Sequence, residues 1–179
     1  MRRINTFLTI GIILSFLFHA IAGSIRLFGA DAGSPIIAAW VCMVFVVLHV
    51  IVTTILTVKT LIAIKKSGKS YFRDNLLFWT RRISGFALLI PLVMHMLIFS
   101  GTGDDSYRLV FFHSGRLIAQ ILLIAALALH ILTNLHPLLL GLGVKQHKMF
   151  SVDMLFVISV LLIFCCGAFC VYYLRWMAY

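Results

Sequence analysis

Residues 36–62 read IIAAWVCMVFVVLHVIVTTILTVKTLI. Lys59 is the one charge in this stretch, and it comes near the end. A helix that crosses the hydrocarbon core of a bilayer needs about 20 mostly apolar residues. This run exceeds that length, and it lacks the polar face that a helix on the surface of a soluble domain presents. Lipid is therefore its solvent. His49 sits in the middle of the run, where an ionisable group is costly and marks a functional position.

Outward from this run the same pattern recurs at residues 5–28, 82–100, 115–140 and 152–175. Turn and cap residues fall between the segments. Ser34 and Pro35 suit the N-cap and first position of the second helix. Gly101-Thr102-Gly103 ends the third, and Ser114 is placed to cap the fourth. Pro137 is expected to loosen the last turns of that helix before Gly141 and Gly143. Ser151, with Asp153 in the first turn, is expected to start the fifth. The expectation is an all-α membrane protein, one transmembrane domain over residues 1–179, built as a five-helix bundle. Met1-Arg2-Arg3, an apolar run and Ala20-Ile21-Ala22 resemble a cleaved signal peptide. The length of the run and His19 inside it favour a retained first helix.

Composition agrees. Hydrophobic residues make up 63% of the 179 and charged residues only 11%, against about a quarter in soluble domains. The net charge of +10 does not point to nucleic acid, because the basic residues lie at the ends of apolar runs and form no stripe. Arg2, Arg3, Lys59, Lys65, Lys66, Lys69, Arg73, Arg81, Arg82, Lys145 and Lys148 fall on the side of the N-terminus. Arg26, Arg108, Arg116 and Arg175 fall on the other. The positive-inside rule then expects a cytoplasmic N-terminus and an external C-terminus. The stretch from Ile64 to Thr80 is the longest polar segment, suited to lie on the membrane surface or to receive a soluble partner. Cys42, Cys165, Cys166 and Cys170 lie inside apolar segments and read as packing residues.

Seven histidines are present. His113, His136 and His147 fall at helix mouths or in loops. His19, His49, His95 and His130 lie deep, one on each of the first four spans. At about 1.5 Å rise per residue, His19 and His95 lie about 20 Å from the inner ends of their helices, and His49 and His130 about 10 Å. The rings thus form an outer pair, His19 with His95, and an inner pair, His49 with His130. Two neutral imidazoles facing one another at one depth suit the axial positions of haem iron, so two haem b groups are expected. Each ligand also needs its other ring N–H held; Gly23 leaves room beside His19, and Thr133 and Asn134 are placed to orient His130. Arg81, Arg82 and Lys145 are candidates for the inner haem propionates, Arg26 and Arg116 for the outer.

The run Ser70-Tyr71-Phe72-Arg73-Asp74-Asn75, then Arg82-Ile83-Ser84-Gly85 and His95, resembles the dihaem cytochrome b subunit of succinate:quinone oxidoreductases and quinol:fumarate reductases. His130-Ile131-Leu132-Thr133-Asn134 is similar to the ligand-bearing fourth helix of that family, and His19 and His49 fall in the matching helices. The resemblance implies a respiratory-chain membrane anchor in a bacterial or archaeal cytoplasmic membrane. Its implied partners on the cytoplasmic face are an FAD flavoprotein that handles succinate and fumarate, a couple of the tricarboxylic acid cycle, and an iron–sulfur subunit. It also implies a quinone, often menaquinone, beside the outer haem, with Asp31, and after it Asp104 or Asp105, as candidate proton-handling acids. One departure stands out. Ala128 and Leu129 precede His130, and the chain contains no glutamate, so the transmembrane glutamate proton path of some fumarate reductases has no counterpart. Two other readings stay open: the dihaem cytochrome b of a hydrogenase, formate dehydrogenase or ascorbate-type reductase, and a haem-free transporter or assembly subunit.

Overall fold

The computed structural model describes residues 1–30, 35–67, 76–99, 110–144 and 148–178. Within them the chain is helical, with no strand. The helices are α1 (Arg2–Leu27), α2 (Ile36–Ser67), α3 (Leu76–Phe99), α4 (Ser114–Gly141) and α5 (Lys148–Met177). All five are long and apolar enough to cross a membrane. The bundle shows its solvent in its exposed residues: Ile37 is 77% exposed, Phe7 72% and Ile163 71%. These are lipid-facing side chains in a multi-pass membrane protein, since water would penalise so large an apolar surface.

Most helix ends lie beyond those expected from the sequence. α2 runs on to Ser67, α3 starts at Leu76 and α5 at Lys148. Hydropathy finds only the part of a helix that lies in lipid, whereas the backbone ladder continues into the interface. The polar stretch expected from Ile64 to Thr80 is therefore helical at both ends. Lys65 and Lys66 sit in the last turn of α2, where cations meet the negative end of the helix dipole. The fourth helix is capped by His113 instead of Ser114, with the ring accepting the Gly115 N–H at 3.1 Å. Pro137 is accommodated within α4, which continues to Gly141. Ser34, Lys69, the 70–75 motif, Arg108 and His147 lie outside the described residues.

α1 is the hub, packing against α2, α5 and α4, while α4 packs in turn against α3 and α5. Small residues make these approaches possible, as expected where lipid supplies no hydrophobic drive between helices. A methyl group on Gly11 would lie 2.8 Å from the Phe45 ring, so this glycine sets the α1–α2 distance. Ala20, Ala22 and Ser24 of α1 are buried, as are Leu162, Cys165 and Ala168 of α5; Ser24 Oγ lies 3.6 Å from Cys165 Sγ. The tightest core lies where α1 ends and α4 begins. There Leu27, Phe112, Ala168, Phe169 and Tyr172 form one cluster. Phe112 and Phe169 stack at 6.4 Å. The Tyr172 hydroxyl accepts from the Val110 N–H at 2.9 Å and donates to the Val110 carbonyl at 3.0 Å. That clasp ties the segment before α4 onto α5.

Candidate functional site

α1 and α2 run antiparallel, as do α3 and α4, so side chains far apart in sequence share a level. At one level lie His19, the Pro35 carbonyl, His95 and Gln120; at the other lie Thr9, His49, Ser84, Gly85 and His130. Thr9 to His19, Ser84 to His95 and Gln120 to His130 are each ten or eleven residues apart. That separation is about 15 Å of helix axis, wider than the roughly 10 Å expected from segment depths.

The first level brings its two rings together. His19 and His95 have centroids 6.0 Å apart with perpendicular planes. An edge-to-face aromatic pair spans about 4.5–7 Å, so the distance alone does not select a function. It also suits two imidazoles on one metal, because bonds of about 2.0–2.1 Å on each side put the ring centres roughly 6 Å apart. His95 is further enclosed by Phe99 at 5.1 Å and Phe169 at 6.3 Å. At the second level His49 lies within electrostatic range of His130 and Arg82. Their helices, α2 and α4, do not pack as a pair in the way α1–α2 and α3–α4 do.

Hydrogen bonding at the four rings follows one rule. Each Nδ1 faces an oxygen on another helix or at its start. His19 Nδ1 is 3.4 Å from the Pro35 carbonyl, which can only accept. His95 Nδ1 is 2.7 Å from Gln120 Oε1. His49 Nδ1 is 3.5 Å from Thr9 Oγ1, whose own proton goes to the Asn5 carbonyl at 2.9 Å. His130 Nδ1 is 3.2 Å from Ser84 Oγ, whose proton goes to the Arg81 carbonyl at 3.1 Å. The Asn134 amide nitrogen, which carries two protons, donates to the His130 carbonyl at 2.8 Å and lies 3.3 Å from Thr133 Oγ1 and 3.4 Å from His130 Nδ1, so Ser84 Oγ is the nearer of the two contacts at that ring nitrogen. In a ring that donates from Nδ1 to such an oxygen, the lone pair of the neutral imidazole sits on Nε2. This arrangement fixes both tautomer and orientation in ligating histidines.

The sequence pointed to partners one turn away on the same helix; Asn134 does approach the His130 ring, and the structure adds partners across helices. Thr133 Oγ1 bonds back to the Leu129 and His130 carbonyls and does not reach the ring. Gln120 went unnoticed, although it is the one glutamine inside a spanning segment and is fully buried. Its Oε1 serves His95 while its Nε2 is buried without a partner. Gly85, part of the quoted motif but given no role there, is now placed: a methyl group on it would stand 3.1 Å from His130 Cε1, so the glycine makes the ring's berth. Space beside Gly23 is open.

The basic candidates separate. Arg81 Nε donates to the Thr133 carbonyl at 2.8 Å and fastens α3 to α4. Arg82 lies over the Phe78 ring at 5.2 Å, with its Nε buried and unpartnered. Arg116 donates to the Phe111 carbonyl, and Arg26 lies in the last turn of α1. Lys145, Asp31, Asp104 and Asp105 lie outside the described residues. Among the described residues no three His, Cys, Asp or Glu side chains converge. Two imidazoles suffice for a macrocycle that brings its own equatorial nitrogens. Comparison of the chain with protein-family models, with curated proteins and with solved structures finds no match in any of the three.

Proposed function

We propose that this chain is the membrane-anchor cytochrome b of a succinate:quinone oxidoreductase or quinol:fumarate reductase. Its N-terminus would lie in the cytoplasm, its C-terminus outside, and its home would be a bacterial or archaeal cytoplasmic membrane. The observation that carries the reading is the shared second contact of His19, His49, His95 and His130: every Nδ1 lies within 3.5 Å of an oxygen that can accept its proton, the arrangement that would keep Nε2 as an electron-pair donor. A proton relay would instead want rings able to exchange tautomers.

His19 and His95 would hold one haem b, His49 and His130 the other. Bound there, haem supplies one-electron redox chemistry at two levels of the bilayer. Gln120, Ser84, Thr9 and the Pro35 carbonyl orient the rings. Gly85 leaves the room that His130 needs, and the Phe99–Phe112–Phe169 cluster keeps water from His95. Arg82 places a cationic donor near the inner level, suited to a propionate. The partners in this reading are an FAD flavoprotein and an iron–sulfur subunit on the basic face, and a quinone, menaquinone in first place, on the other. Succinate and fumarate chemistry would reside on the flavoprotein.

A reduced-minus-oxidised absorption spectrum of the purified chain tests the proposal. Two b-type haems per polypeptide are expected, and a spectrum without a haem signal would refute it. Which soluble subunits co-purify separates this reading from a hydrogenase- or formate-dehydrogenase-type cytochrome b.

A further inference from the structure

A groove of about 380 Å³ opens between the first turns of α1 and the last turn of α4, lined by Arg3, Thr6, Phe7, Ile10, Gly141 and Leu142. It lies far from the histidines of the first level, at the end of the bundle that also carries Lys59, Lys65, Lys66, Arg81 and Arg82. We propose that this groove is a binding site for an anionic phospholipid, with the headgroup phosphate on Arg3 and an acyl chain along Phe7, Ile10 and Leu142.

Three observations point to that occupant. First, the lining is graded along α1: Arg3 and Thr6 come at the interface, and Phe7 and Ile10 one to two turns deeper, as the polar-to-apolar order of a phospholipid requires. Second, among the described residues the positive charge at this end has no acidic partner. Asp153 is the only acid among the described residues. The first turn of α1 holds no acidic residue and Met1 gives it no side-chain cap, so the positive end of the helix dipole adds to Arg3. Third, the last turn of α4, the negative end of that helix's dipole, has its carbonyls occupied, which blunts its repulsion of an anion seated on Arg3. The Leu138, Leu139 and Leu140 carbonyls at the end of α4 are taken up by the Leu142, Gly143 and Val144 N–H groups. Gly141 keeps the wall low, since a methyl group there would lie 3.2 Å from Thr6 Oγ1. Free phosphate would use Arg3 but not the apolar floor. The site does not depend on what the histidines hold.

Native mass spectrometry of the detergent-purified chain, titrated with phosphatidylglycerol and phosphatidylcholine, tests the assignment. The wild type should retain one phosphatidylglycerol in preference to phosphatidylcholine. Arg3→Gln should weaken that binding about fivefold, the worth of one basic residue at an anionic surface. Leu142→Trp, which fills the floor without touching charge, should weaken it as well, and Lys66→Gln should leave it unchanged. The proposal is overturned by equal retention of both lipids, by wild-type binding in Arg3→Gln or Leu142→Trp, or by an equal loss in Lys66→Gln, which would mean diffuse attraction. Displacement by millimolar inorganic phosphate would transfer the site to free phosphate and also overturn it.

Discussion

Gln120 holds His95 by a 2.7 Å contact between its side-chain oxygen and the ring Nδ1, and the amide that does so is fully buried on the neighbouring helix. The carbonyl side of that amide is an acceptor, which favours the tautomer in which His95 donates from Nδ1 and keeps its Nε2 lone pair free. A buried glutamine whose own nitrogen lacks a partner costs about 1–3 kcal/mol. Such a cost is sustained where the group does something packing alone does not require.

Replacing that glutamine should therefore reach the histidine without touching the fold. In Gln120→Leu the volume is kept and the acceptor lost; loss of a second contact of this kind typically lowers metal-site affinity about 10–100-fold. The haem-to-protein ratio should fall toward one per chain. Gln120→Glu keeps an acceptor and should retain both haems, with the midpoint potential of the outer one lowered because a stronger acceptor makes the imidazole a better donor. A redox titration followed in the visible region reads both effects.

His95→Ala should remove one haem and leave the other in place, and His130→Ala should do the reverse. The two levels share no ring contact and lie about 15 Å apart along the helices, so the losses should be separable. Haem content per polypeptide and the surviving absorption band check this; loss of neither haem in either variant would remove the ligand assignment.

Ser84→Ala and Gly85→Ala probe one ring by different means. The first takes away the acceptor for His130 Nδ1. The second places a methyl group 3.1 Å from Cε1 and pushes the ring by a few tenths of an ångström. Both should disturb the inner haem and spare the outer, and electron paramagnetic resonance of the oxidised protein should show a shifted signal from one low-spin centre only.

Arg82→Gln removes a positive charge within electrostatic range of His49 and His130. Positive charge favours the reduced state of a nearby centre, so the inner midpoint should fall, on the order of tens of millivolts. Potentiometry at fixed pH and ionic strength measures it, and an unchanged inner midpoint would detach Arg82 from that site.

Tyr172→Phe breaks both bonds to Val110 while keeping the aromatic core. About 1–2 kcal/mol of stability should be lost, measurable by thermal or detergent-induced unfolding, with the haem spectrum retained.

Much of this molecule is legible in its sequence. The run at 36–62 needs a lipid solvent whatever it packs against, because its apolar surface is a property of composition and length. The alternation of basic ends and the presence of one deep histidine on each of four helices are likewise local facts of the chain. Helix ends were less legible: Leu76 to Thr80 and Lys148 to Ser151 are helical through backbone hydrogen bonds that hydropathy does not register.

Which side chains meet was decided by tertiary structure. Nothing in the order of residues pairs Gln120 with His95, Ser84 with His130, Thr9 with His49 or the Pro35 carbonyl with His19. Those contacts depend on how far each helix is rotated about its axis and which neighbour it approaches. Small residues such as Gly11 and Gly85 set those approaches by letting one particular ring come close. Rotation of a lipid-facing helix costs little in transfer energy, since every apolar face suits the bilayer equally. The polar and close-packed contacts between helices are what select one rotation, and they exist only once the bundle has assembled.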